Sequence, residues 1–79
     1  MKVLYFASAQ GLANMKRENM RLPEGSSVRD LASEMLLRHP ELKDIEPTIR
    51  YSVNLEIAES SARLHDGDEV AVLPPVAGG

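Results

Sequence analysis

The sequence predicts an α+β domain in which one main helix packs on one face of a mixed sheet. Two observations carry this. Short apolar or alternating runs cluster towards the two ends of the chain, and a single sustained helical period lies between them, over residues 27–39. The resulting order is strand, strand, helix, strand, strand. One helix with one apolar stripe can bury that stripe against only one face of a sheet. The helix then serves in a crossover between the two halves of the sheet, which implies that the first and last strands are parallel neighbours.

Each element has a local reason. Val3-Leu4-Tyr5-Phe6-Ala7 is an apolar run that does not alternate cleanly, as expected of a strand covered on both faces. Residues 8–17 carry no strong period and read as a loop with room for a helical turn. Glu18-Asn19-Met20-Arg21-Leu22 alternates, so it is a half-buried second strand, closed by the turn residues Pro23-Glu24-Gly25. Ser27 is placed to cap the helix, with Asp30 near the positive end of its dipole. Val28, Leu31, Ala32, Met35 and Leu36 follow at i, i+3, i+4, i+7 and i+8, and Leu31, Met35 and Leu36 are expected in the core. Pro40 ends the helix at about His39. Leu42 and Ile45 pin the polar stretch 41–48. Residues 49–54 alternate as a third strand, and residues 55–58 turn and pair back briefly. Residues 60–65 read as a loop anchored by Leu64. The Asp66-Gly67 turn then leads into the last strand, Glu69-Val70-Ala71-Val72-Leu73.

Seventy-nine residues make one domain, spanning 1–79, with a flexible tail from about residue 74. Without cysteine there is no disulfide, thiolate metal site or thiol nucleophile. A net charge of −3 argues against nucleic acid, and the apolar runs are too short to span a membrane. The start of the chain lacks a signal-peptide pattern, so a cytoplasmic protein is expected. No motif for a resident metal or cofactor is present. His39 and His65 fit no ligand spacing and read as a helix-end and a loop histidine, while Asp66-Gly67-Asp68-Glu69 lacks the ligand pattern of a calcium loop. There is no glycine-rich phosphate loop and no recognisable serine triad. An enzyme with a pocket of its own is not expected.

What remains is the last six residues, Pro74-Pro75-Val76-Ala77-Gly78-Gly79. Two prolines stop the sheet, and two glycines allow the backbone into a slot too narrow for side chains. Within the preceding strand, Val70 and Val72 share one side and Ala71 and Leu73 the other. With the valines under the helix, Ala71 and Leu73 lie on the open face beside the tail, where a docking surface is expected.

Asp66-Gly67-Asp68-Glu69-Val70-Ala71-Val72-Leu73-Pro74-Pro75-Val76-Ala77-Gly78-Gly79 closely resembles the C-terminal signature of the molybdopterin synthase small subunits, which are ubiquitin-like β-grasp sulfur carriers. Supporting segments are Val3-Leu4-Tyr5-Phe6-Ala7, the stretch from Leu22 to Leu31, and Ser52-Val53-Asn54-Leu55-Glu56. The sequence departs from many relatives at Ala77, where they carry Ser or Thr. It departs again at Ser8-Ala9-Gln10-Gly11, where they carry an arginine. The resemblance implies that an adenylyltransferase uses ATP to activate the Gly79 carboxylate, which then becomes a thiocarboxylate. Ala71, Leu73, Pro74, Pro75, Val76, Ala77 and Gly78 would meet the partner. That partner would be the large synthase subunit, in a heterotetramer of two small and two large chains. The small subunit is not catalytic alone. A thiamine-pathway sulfur carrier shares the Gly-Gly end, but the Pro74-Pro75-Val76 lead-in favours the pterin pathway. A protein modifier joined through Gly79 to lysines and a plain interaction domain with a passive tail are the other readings.

Overall fold

In the computed structural model, which describes residues 1–75, the central helix forms where its caps place it. This helix, α2 (Val28–Arg38), is closed at its start by a reciprocal capping box. The Ser27 side chain accepts from the Asp30 backbone N–H, and the Asp30 carboxylate accepts from the Ser27 N–H at 2.9 Å. His39 is the last capped residue, and its N–H donates to the Met35 carbonyl before Pro40 turns the chain away.

Around it run β1 (Lys2–Tyr5), α1 (Ala7–Ala13), β2 (Arg17–Asn19), β3 (Arg50–Val53), β4 (Glu56–Ala58) and β5 (Glu69–Leu73). The strands form one sheet in the order β2-β1-β5-β3-β4. The two chain-end strands are neighbours, as the crossover requires: β1 and β5 are parallel, with Val3 opposite Val70 and Tyr5 opposite Val72. All the other pairings are antiparallel. Val3, Tyr5, Val70, Val72 and Tyr51 meet Val28, Leu31 and Met35 in a single buried cluster.

Four expectations are corrected. The first strand ends at Tyr5 rather than residue 7, because Ala7 takes a left-handed φ of 49° and opens a helix. Residues 8–17 are largely that helix, α1, which exists because Ala9 and Ala13, one helical turn apart, both enter the core. The second strand is Arg17–Asn19 instead of 18–22, so only its inward residue Glu18 alternates within the sheet. Leu36, expected in the core with Leu31 and Met35, is only partly buried. It lies at the edge of the helix stripe, where it lines a cleft of about 250 Å³ with Val28, Ala32 and Tyr51.

Candidate functional site

β5 is the central strand of the sheet, and the tail leaves from its end. Its alternation sorts its two faces as the sequence requires: Val70 and Val72 are fully buried beneath the helices, while Ala71 and Leu73 are partly exposed on the other side. Pro74 is buried, so the domain grips the chain one residue beyond the strand, and Pro75 is exposed. Val76, Ala77, Gly78 and Gly79 lie outside the described residues, and so does the expectation that this segment is flexible.

The cross-strand register assembles the open face. One row crosses all five strands: Arg17 opposite Leu4, Leu4 opposite Ala71, Ala71 opposite Ser52, and Ser52 opposite Ile57. Residues opposite each other point to the same side, so Leu4, Ala71 and Ile57 make an apolar line with Ser52 inside it. Nearer the tail, Leu73 stands opposite Arg50. Phe6, whose N–H donates to the Val72 carbonyl at 3.3 Å, is exposed beside the root of the tail. At the far end the face turns polar, with Lys2 Nζ 3.9 Å from Glu69 Oε2. Ala71 and Leu73 were legible from the sequence; Leu4, Phe6 and Ile57 were not. Their signal was the alternation 2-4-6 and 55-57, which acquires meaning only once the strand neighbours are known.

The buried polar chemistry lies on the other face. Glu18 Oε2 accepts from the Tyr5 hydroxyl and lies 2.6 Å from His39 Nε2, while Glu18 Oε1 accepts from Arg38 Nη1 at 2.9 Å. Burial works to raise the Glu18 carboxyl, but donors from Tyr5, His39 and Arg38 outweigh it and hold the group below its ordinary range. Burial, and then the bond to Glu18, push the Tyr5 phenol upward. Tyr5 and His39 also meet edge to face, with ring centroids 5.5 Å apart. Every strong group here is already paired. The cluster ties β1, β2 and the end of α2 together and presents no free base or nucleophile. His65, by contrast, is a loop residue whose backbone N–H donates to Asp68 Oδ2 at 2.8 Å.

A groove of about 860 Å³, lined by Met1, Met20, Leu22, Arg38 and His65 among others, sits at the end of the sheet opposite the tail root. No group of His, Asp or Glu among the described residues could hold a metal ion, and none of their helices is long and apolar enough to cross a membrane. What the described residues place beside the root of the tail is an open apolar face.

The ThiS family model matches residues 3–79. The chain belongs to the ThiS family. Among its relatives, the molybdopterin synthase sulfur carrier subunit of Chlamydomonas reinhardtii is 35% identical over 81 residues, covering 100% of this chain and 98% of that one. A putative molybdopterin converting factor, subunit 1, from Pyrococcus furiosus superposes with a TM-score of 0.85 at 38% identity, over 95% of each chain. These likenesses establish the ubiquitin-like β-grasp fold. A complex of subunits 1 and 2 of the molybdopterin-converting factor from Helicobacter pylori contains the same fold, with a TM-score of 0.70 at 22% identity, covering 99% of this chain and 96% of that one.

Proposed function

We propose that this ThiS-family chain is the sulfur carrier subunit of a molybdopterin synthase, working in the cytoplasm through the carboxylate of Gly79. The observation that supports it best is the continuity of β5 with the tail: one strand carries Ala71 and Leu73 on an open apolar face and runs directly into Pro-Pro-Val-Ala-Gly-Gly. Relatives matched along the whole chain bear that subunit's name.

The chemistry follows from the group at the end. A carboxylate is a poor electrophile. Attack of its oxygen on the α-phosphorus of ATP, on an adenylyltransferase, releases pyrophosphate and leaves an acyl-adenylate. A donor that delivers sulfur at the sulfide level then displaces AMP from the acyl carbon, giving a thiocarboxylate. With no cysteine in the chain, that sulfur comes from outside. Docking of the open face on the large subunit would place the tail in a pocket holding the pterin precursor, where fixed positioning replaces a bimolecular encounter. The thiocarboxylate sulfur attacks a carbon of the precursor there, an oxygen substituent of that carbon departs with its electron pair, and water cleaves the remaining acyl–sulfur bond to restore the carboxylate. Pro74, Pro75, Val76, Ala77 and Gly78 would line the passage into that pocket, and the assembly would hold two small and two large chains.

The test is the intact mass of the chain after incubation with the activating enzyme, ATP and a sulfur donor, followed by pterin sulfuration with the large subunit. The expected result is replacement of one Gly79 oxygen by sulfur, and its loss on turnover. An unchanged mass, or a ladder of lysine conjugates in place of pterin sulfuration, would overturn the reading.

A further inference from the structure

The hairpin between β3 and β4 carries a residue that is badly placed by every internal criterion. Asn54 and Leu55 form its two-residue turn, closed by Val53 opposite Glu56, and both are left-handed, with φ of 51° and 74°. Such turns favour Asn at the first position and Gly at the second. The other positive-φ positions are Asn14, Gly25, Asn54 and Gly67, residue types that tolerate it, and Ala7, whose small side chain opens α1. Leu55 is of neither kind, and its β-carbon strains the left-handed backbone. It is also 90% exposed, so burial within the chain offsets nothing. A residue that costs stability in both backbone and solvation points to a use outside the domain.

Position supplies the occupant. Two residues on, Ile57 is 62% exposed and stands in the apolar row with Ser52 and Ala71, so Leu55 sits at the lip of the same face. It lies at the end away from the tail, while Phe6 stands at the tail end. Five strands of three to five residues, about 4.8 Å apart and about 10–17 Å long, offer a face of roughly 300 Å². A stable complex covers about 800 Å² on each partner. A partner that docks here must therefore reach past the strand ends, and the hairpin tip holds an apolar side chain ready for it.

We propose that Leu55 is an anchor for the large synthase subunit, seated in an apolar depression of that subunit beyond the edge of the sheet. This rests on the carrier reading given above and adds to it a residue that sets partner choice and orientation. Two apolar contacts at opposite ends of the sheet, Phe6 and Leu55, resist rotation of the carrier on its partner and so aim the tail. Leu offers only dispersion and desolvation, so the matching surface is apolar rather than charged.

The experiment titrates the full chain against the purified large subunit by calorimetry, comparing Leu55→Gly, Leu55→Asn and Ala71→Arg with the parent. Gly and Asn both suit the left-handed turn, so the two hairpin variants are expected to melt at or above the parent temperature while binding about tenfold more weakly, the loss of one anchor. Parental affinity in both hairpin variants, with Ala71→Arg impaired, would overturn the role of Leu55 and leave the docking face standing. Parental affinity in all three would overturn the docking face itself and the anchor with it.

Discussion

The two faces of the sheet are made from the same strands and obey opposite rules. On the covered face, Val3, Tyr5, Val70 and Val72 are essentially inaccessible, and the polar groups that do enter, Glu18 and His39, are hydrogen-bonded together. On the open face, Leu4, Ala71, Leu73 and Ile57 keep exposed surface, and the charges at the margins, Arg17, Lys2 and Arg50, are on or near the surface. In β5 the two rules alternate residue by residue. The covered face holds the core of the domain, whereas the open face keeps apolar surface accessible for the partner contact proposed above. The difference teaches that stability and function can be separated within a single strand, and substitutions should separate them too.

The sharpest separation lies at the tail. Adding one alanine after Gly79, or deleting Gly79, displaces the acyl carbon by up to about 3.5 Å. Misplacement of about 1 Å can already cost 100-fold, so sulfur transfer should be abolished in single-turnover assays with an unchanged melting temperature. Gly78→Val should fail in the same way, because its branched side chain would block a narrow passage. Next in size, Leu31→Ala empties a fully buried site and should cost about 2–5 kcal/mol in denaturant unfolding, without weakening docking of the folded fraction. Leu36→Ala, at a partly buried position, should cost only about 1 kcal/mol. Leu73→Ser, on the open face, should reverse the pattern: docking about tenfold weaker by calorimetry, with a much smaller change in melting than Leu31→Ala. Equal losses of stability at Leu31 and Leu73 would break the comparison.

Two smaller effects sharpen the covered side. Glu18 is held below its ordinary value of 4.5 in the fold, so as pH falls through 4.5 the unfolded chain binds the proton first and unfolding is favoured. Its contribution is fully present above pH 4.5 and is lost as pH falls through the depressed folded value. Asp30 and Asp68, also lowered by hydrogen bonds, act in the same direction. Glu18→Gln should therefore flatten part of the acid limb in pH-dependent melting. Least of all, Ser27→Ala removes one side of the capping box and should cost about 1 kcal/mol, again with docking unchanged.

Residues close together in the chain determined much of this protein. The Ser27 cap, the stripe Val28-Leu31-Ala32-Met35 and the Pro40 stop all lie in or beside one helix, so its extent from about 27 to about 39 was legible to within a residue. The alternation of Val70-Ala71-Val72-Leu73 assigned both faces of β5, and the composition of the last six residues pointed to a tail. Other features depended on segments far apart. Ala9 and Ala13 look indifferent alone and make α1 a helix only because a core waits for them. Glu18 reads as a surface charge until Tyr5, His39 and Arg38 converge on it from β1 and from the end of α2. Leu36 fits the stripe but falls at its margin, where the packing leaves a cleft. The row Arg17-Leu4-Ala71-Ser52-Ile57 gathers residues from five strands, and a slip of one residue in any pairing would turn that strand's contribution to the opposite face. Capping and periodicity act over a few residues and can be read along the chain. Strand register and partial burial are settled by the closure of long loops and by packing, and only the folded molecule decides them.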